Sequence, residues 1–291
     1  MSILSGLDSL GLGNVQKLEL YEKEKTNDAD GKESEKKPEP EIPEAKEADF
    51  LFDKSYNCPI CDHSFKTKTV RAGKARMIGS DSDLRPRYEV IDVIKYDTVV
   101  CPRCGYSALV RYFKFMTSIQ AKLIKAQICA NYRSHDYSGD IYTYDEARER
   151  YKLVLANAIV KKAKPSEKAY ICLKSAWLLR GMVENLEMDV SYVKKKLTYQ
   201  KEEEEYLRNA YEGFLTARST EPFPMCGMDE STVDYLLAAL ATRFLDVNVA
   251  SKMISELLSS KTVNPRTKEK TRLLKEELEH AIKKKEQEQQ G

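Results

Sequence analysis

Apolar positions along the chain change their rhythm twice. Residues 1–21 place Ile3, Leu4, Leu7, Leu10 and Leu12 roughly along one face of a helix. A stretch this short is not a stable helix in water by itself, so it reads as an amphipathic segment that docks on the chain's own core or in a partner's groove. Residues 22–49 lose the pattern: eleven acidic and six basic side chains surround one large aliphatic, Ile42. Such a segment buries too little apolar surface to offset its ordering entropy and reads as a disordered linker. From 50 to 105 short β-rich runs take over. These are KTKTV at 66–70 and the alternation from Tyr88 to Val100, set between turn signals at Gly73, Gly79 and Pro86. From Tyr106 to about 285 the apolar spacing becomes three and four, in 121–130, in 147–159 and around Trp177, Ala210, Leu237, Ile254 and Leu274. The pattern predicts an α+β fold, predominantly α, with a small β-rich module at 50–105 followed by a helical domain at 106–285.

Cysteine spacing adds chemistry to the β-rich module. YNCPICDHSF at 56–65 and YDTVVCPRCGY at 96–106 supply Cys58, Cys61, Cys101 and Cys104 as two Cys-x-x-Cys pairs. Each tight turn lets two sulfurs face one ion, and four soft thiolates suit a tetrahedral zinc closed on all sides. A rubredoxin-like iron is the alternative occupant. Gly105 and Asp62 each follow a pair, where backbone with positive φ is often needed. A catalytic zinc keeps a position open for water, and four cysteines leave none, so the expected Zn2+ is structural. His63, beside the first pair, reads as a neighbour of the site rather than a ligand. Cys129, Cys172 and Cys226 stand singly in apolar surroundings and read as small core residues.

Charge narrows the partners. The formal net charge is +2 with 32% charged residues, so no field of one sign is available to recruit nucleic acid. Between the knuckles eight basic residues face six acidic ones, and local pairing of the arginines with Asp81 and Asp83 is the simpler reading. A nucleic-acid-binding zinc ribbon is therefore the alternative, not the first reading. No run is apolar and long enough to span a bilayer, and a cytoplasmic location is expected. Three histidines, at 63, 135 and 280, stand in unrelated contexts, and no catalytic arrangement can be argued from them. The acidic run 202–205 reads as a solvated face near a helix start, and the sulfur-rich loop FPMCGMDE at 223–230 as an inter-helix plug, with a lip of a binding groove as the alternative, ahead of a helix capped by Asp229 or Ser231.

In the helical region Ala210-x-x-x-Phe214-x-x-Ala217 precedes Pro222, which is the second-helix pattern of a tetratricopeptide repeat. Ala147/Tyr151/Val154 and Ala250/Ile254/Leu257 echo it, and Trp177 with Gly181 resembles a first helix. The echoes lie 63 and 40 residues apart, so the predicted array is irregular. Together YNCPICDHSF, VRAGKARMIGSDSDLRPRY, YDTVVCPRCGYSA, YDEARERYKLVLANAIVKKAKPSEKAY, AWLLRG and FPMCGMDESTVDYLLAAL resemble an uncharacterised bacterial family, common in Firmicutes, domain of unknown function twenty-two twenty-five. The resemblance runs from Phe50 to about Ser260. It implies a paired-cysteine module followed by repeat-like helices, with no established activity, and places Cys58, Cys61, Cys101 and Cys104 in the cysteine pairs. The expected protein is non-enzymatic: a zinc-ribbon-like module joined to a tetratricopeptide-like helical-repeat domain whose groove binds a protein or peptide.

Overall fold

A computed structural model of the chain describes residues 46–135 and 139–290, with side chains as far as Glu288. The expected amphipathic segment 1–21 and residues 22–45 of the expected linker lie outside them. Described chain begins ahead of the expected boundary at 50, in a 3-10 turn Glu47–Phe50. The reason is electrostatic. Lys95 is buried, and Glu47 accepts hydrogen bonds from its Nζ at 2.7 and 3.0 Å and from the Tyr96 hydroxyl at 2.7 Å.

Three separate antiparallel ribbons follow: β1 (Leu51–Asn57) with β2 (Ser64–Val70), β3 (Met77–Ser80) with β4 (Pro86–Tyr88), and β5 (Thr98–Val100) with β6 (Ser107–Leu109). KTKTV lies in β2 as its pattern predicts. Gly79 instead sits inside β3, Pro86 opens β4, and the alternation from Tyr88 to Val100 is interrupted by a 3-10 turn at Val93–Tyr96. Asp92 caps that turn by accepting from the Ile94 amide at 3.0 Å, a local bond that alternation cannot reveal.

Helices begin later than Tyr106. They are α1 (Ser118–Ile124, continued by a π turn Lys125–Cys129), α2 (Tyr144–Val160), α3 (Pro165–Glu184), α4 (Tyr192–Thr220), α5 (Glu230–Arg243), α6 (Val247–Ser259) and α7 (Pro265–Gln290). The fold is α+β and mainly α, as the spacing predicts. Local chemistry explains the ends: Thr143 and Glu146 form a capping box, Pro165 opens α3, Asp229 caps α5 through the Thr232 amide, and α4 stops ahead of Pro222. From α2 onward each helix packs on the next. All three small–aromatic or small–aliphatic triads, Ala147/Tyr151/Val154, Ala210/Phe214/Ala217 and Ala250/Ile254/Leu257, are buried in one core together with Trp177.

Ala45–Gly291 forms one compact unit, and the ribbons share their packing with the helices. Four buried polar residues make the connection. Arg150 of α2 donates to Thr98 Oγ1 (3.1 Å), the Thr98 carbonyl (2.8 Å) and Thr67 Oγ1 (3.3 Å). Tyr151 donates to the Ile94 carbonyl at 2.9 Å. Asn157 donates to the Gly105 carbonyl (3.1 Å) and Ser107 Oγ (2.8 Å). Lys174 of α3 meets Asp97 at 2.6 Å; burial works against its charge, and Asp97 more than restores it.

The β3–β4 turn is held by ion pairs. Arg85 binds Glu184 through both terminal nitrogens at 2.9 and 2.8 Å, and Arg87 binds Asp81 at 2.6 Å. Arg180 of α3 joins Asp81, Asp83 and the buried Glu203 of α4. Local pairing thus involves Asp81, while Asp83 goes to a helix far along the chain. Glu202–Glu205 lie well inside α4, and Glu203 is not solvated, because Arg180 and Arg243 converge on it from α3 and α5.

Two outcomes follow from these anchors. Replacing Arg150 by Met leaves the Thr98 carbonyl and two buried hydroxyls short of a donor and lowers urea-unfolding stability by about 2–4 kcal/mol. Burial alone would raise the Asp81 carboxyl, but hydrogen bonds from Arg87 and Arg180 outweigh it and hold it below its ordinary value. A carboxyl depressed on folding stabilises above its unfolded value near ~4 and loses that contribution as pH falls through the folded value. Melting temperature accordingly drops on acidification below about pH 4, and Asp81→Asn flattens that limb of the profile.

Candidate functional site

The two knuckles fold identically. In the first, the Cys58 amide donates to the His63 carbonyl (3.0 Å) and the Asp62 amide to the Cys58 carbonyl (3.0 Å). In the second, Cys101 donates to Tyr106 (2.9 Å) and Gly105 to Cys101 (3.0 Å). Asp62 and Gly105 occupy the same place with φ of 57° and 74°, the positive values expected of them. β1 and β2 flank the first turn, β5 and β6 the second, so ribbon pairing aims both pairs of sulfurs inward.

Cys58 Sγ lies 3.6 Å from Cys104 Sγ, Cys61 Sγ 3.7 Å from Cys101 Sγ, and all four lie within 4.8 Å of one another. A tetrahedron with bonds of about 2.3 Å has edges of about 3.8 Å, so the spacing fits a four-thiolate metal site. The Ile60 amide points at Cys58 Sγ at 3.4 Å. Cys58, Cys101 and Cys104 are buried and Cys61 is half-buried. Hydrogen bonds from Cys104 and Cys58 hold the Cys101 thiol low, and its bond to Cys58 pushes that thiol up to about 12. Without a cation, then, one thiolate suppresses its neighbours. A bound cation would supply the charge that relieves this competition.

His63 is not in the cluster; its ring stacks on Phe65 at 6.2 Å. His135 lies beside Glu149 and His280 is exposed on α7, so the three histidines stand in three places. Cys172 and Cys226 are buried in the helical core, whereas Cys129 packs against the knuckles, its thiol raised by burial. Tyr132 covers Gly105 so closely that a Cβ there would run into its ring. The loop at 223–230 is a plug: Met225 and Cys226 are buried, and Arg111 donates to the Cys226 carbonyl. Asn157, Arg150 and Tyr132 escaped sequence reasoning. A signal for two of them is present, since positions 147, 150, 151, 154, 157 and 158 form one helical stripe on which Arg150 and Asn157 are the polar members.

Beside this centre α2, α3 and α4 border an open groove of about 1030 Å3. Leu155 and Ile159 come from α2, Ala169 and Cys172 from α3, Tyr206 and Gly213 from α4. Gly213 lets α3 and α4 approach, because a Cβ there would lie 2.8 Å from that of Ala169. Arg148 and Lys152 of α2 both bind Glu202 of α4 and tie the two walls together. Ile159 remains 59% exposed, and Lys168, Lys201, Glu205 and Glu212 line the groove.

Residues 51–278 match the model of a family described as "Uncharacterized protein conserved in bacteria (DUF2225)". The match reaches past Ser260 to take in Leu274 and Leu278, which α7 buries in the helical core. No curated protein and no solved structure matches the chain. Among the described residues no helix is long and apolar enough to cross a membrane.

Gly105→Ala tests the second knuckle. Its positive φ and the Tyr132 ring both resist a side chain, so melting temperature falls by roughly 4–10 °C. Asp62→Gly, which relieves the matching φ in the first knuckle, shifts it by less than about 2 °C in the same thermal scan.

Proposed function

The chain belongs to the bacterial family DUF2225, and we propose that it is a non-enzymatic, zinc-stapled interaction protein whose α2–α4 groove docks a segment of another polypeptide. The exposed Ile159 on the wall of that groove carries the reading. A branched aliphatic left beside Leu155 and Tyr206 in a concave surface is a place where a partner's apolar side chain removes area from water. The walls are helices braced by ion pairs, so the groove is pre-formed and little ordering opposes docking.

Zinc suits the centre because four sulfurs at tetrahedral spacing leave no position for water or substrate. Cys58, Cys61, Cys101 and Cys104 would hold it, and a closed site of this kind contributes on the order of 10 kcal/mol to folding. Its role is to fix the knuckles, whose carbonyl at Gly105 and hydroxyl at Ser107 receive Asn157 of α2. The metal therefore supports one wall of the groove through α2.

Elemental mass spectrometry on protein purified without added metal is expected to give one zinc per chain. Iron, or no metal, would overturn the zinc reading. Chelation is expected to reduce helical as well as β signal in circular dichroism, since α2 rests on the knuckles. Ile159→Glu is expected to weaken docking of an apolar helical peptide at least about tenfold with metal content unchanged.

A further inference from the structure

Charge is balanced over the whole chain but not along every part of it. The chain has 46 acidic residues, yet positions 98–135 hold none, against six basic ones: Arg103, Arg111, Lys114, Lys122, Lys125 and Arg133. None of the six forms an ion pair among the described residues, and the acid that meets this stretch is Glu149, at His135. Arg111 is used internally, donating to the Cys226 carbonyl beside the rings of Tyr112 and Tyr170. The other five are exposed. A local field of one sign therefore surrounds α1 and the second knuckle.

Two large apolar side chains stand inside that field. Phe115 and Ile119 are each 73% exposed. On either side of Phe115, Phe113 is buried and Met116 packs against the knuckle cluster, so the chain enters α1 anchored while Phe115 stays in solvent. A capping box between Thr117 and Gln120 fixes the start of the helix. Ala121, Ile124 and Ile128 then pack on the knuckles, and Ile119, Lys122 and Ala126 recur at three- and four-residue spacing on the opposite face, with Lys125 at its edge. This face is held in place before anything binds, so little ordering opposes a contact. None of its residues borders the α2–α4 groove.

Apolar tips among unpaired cations match the interface of a bilayer with anionic headgroups, where both kinds of group gain. Nucleic acid would use the cations but not the tips. Bases stack on aromatic faces, Phe115 is the one exposed aromatic in 98–135, and Ile119 has no π-face to offer. We propose that Arg103, Lys114, Phe115, Ile119, Lys122 and Lys125 seat the protein on an anionic lipid surface. Phe115 and Ile119 enter the boundary between headgroups and acyl chains, and the cations meet headgroup phosphates. The contact is peripheral, and because its charges are exposed, salt weakens it. Lipid contact and peptide docking use different residues.

Co-sedimentation of the full chain with vesicles tests this. Expected is binding to vesicles of phosphatidylglycerol and phosphatidylcholine in equal parts, reduced at high salt and at least about tenfold weaker on phosphatidylcholine alone. Phe115→Ser/Ile119→Ser and Lys122→Glu/Lys125→Glu are each expected to weaken binding at least about tenfold, with circular dichroism, metal content and peptide docking at the groove unchanged. Phe115→Trp is expected to shift tryptophan emission to the blue when anionic vesicles are added, over the constant signal of the buried Trp177. No binding to anionic vesicles, equal binding to phosphatidylcholine, binding that survives either double variant, or no blue shift would overturn the proposal. Retention of a single-stranded oligonucleotide in place of vesicles would overturn it too and give the surface to nucleic acid.

Discussion

Four thiols at tetrahedral spacing constrain everything built around them. Sulfurs this close compete for charge, and Cys101 held low beside a raised Cys58 displays that competition. A cation held by all four would remove the conflict and convert two short turns into a rigid corner. The ribbons need such a corner, since an isolated two-stranded sheet is marginal in water and three of them stand here without a common sheet.

The corner does not stand apart from the helices. Asn157 reaches the second knuckle at Gly105, and seven residues earlier Arg150 reaches β5 and β2 through Thr98 and Thr67. Both side chains are almost wholly buried, where an unpaired donor is costly and a satisfied one fixes position. α2 is therefore placed by the cysteine module on one face while its other face, with Leu155 and Ile159, borders the groove. α4 is placed from the opposite side by Arg180 and Arg243, which meet on Glu203. Buried polar contacts at both walls make the groove a consequence of the whole core and not of local sequence.

Much of this was legible beforehand where the cause is local. Cys-x-x-Cys turns need particular backbone at the following residue, so Asp62 and Gly105 could be assigned positive φ from spacing alone. Three- and four-residue apolar spacing marked every α-helix among the described residues, and the triads at 147, 210 and 250 identified buried faces. Elsewhere local signals misled. Gly79 and Pro86 read as turns but join β3 and β4, because their partners across the ribbon supply what their own propensities lack. Glu203 reads as solvent-facing in a run of four glutamates, until two arginines from distant helices enclose it.

The sequence by itself determined the two cysteine pairs, the helix positions and the mainly-α class, since each depends on spacing within a turn or a few turns of chain. Tertiary structure alone decided which polar residues on those helices were buried, that the cysteine module and the helices pack into one compact unit, and that α2 and α4 flank an open groove. Those outcomes depend on contacts between residues 46 to 99 positions apart, such as Cys58 with Cys104, Arg180 with Asp81 and Arg85 with Glu184. Spacing along the chain carries no record of such pairs, because the distance between them is set by how all the helices stack.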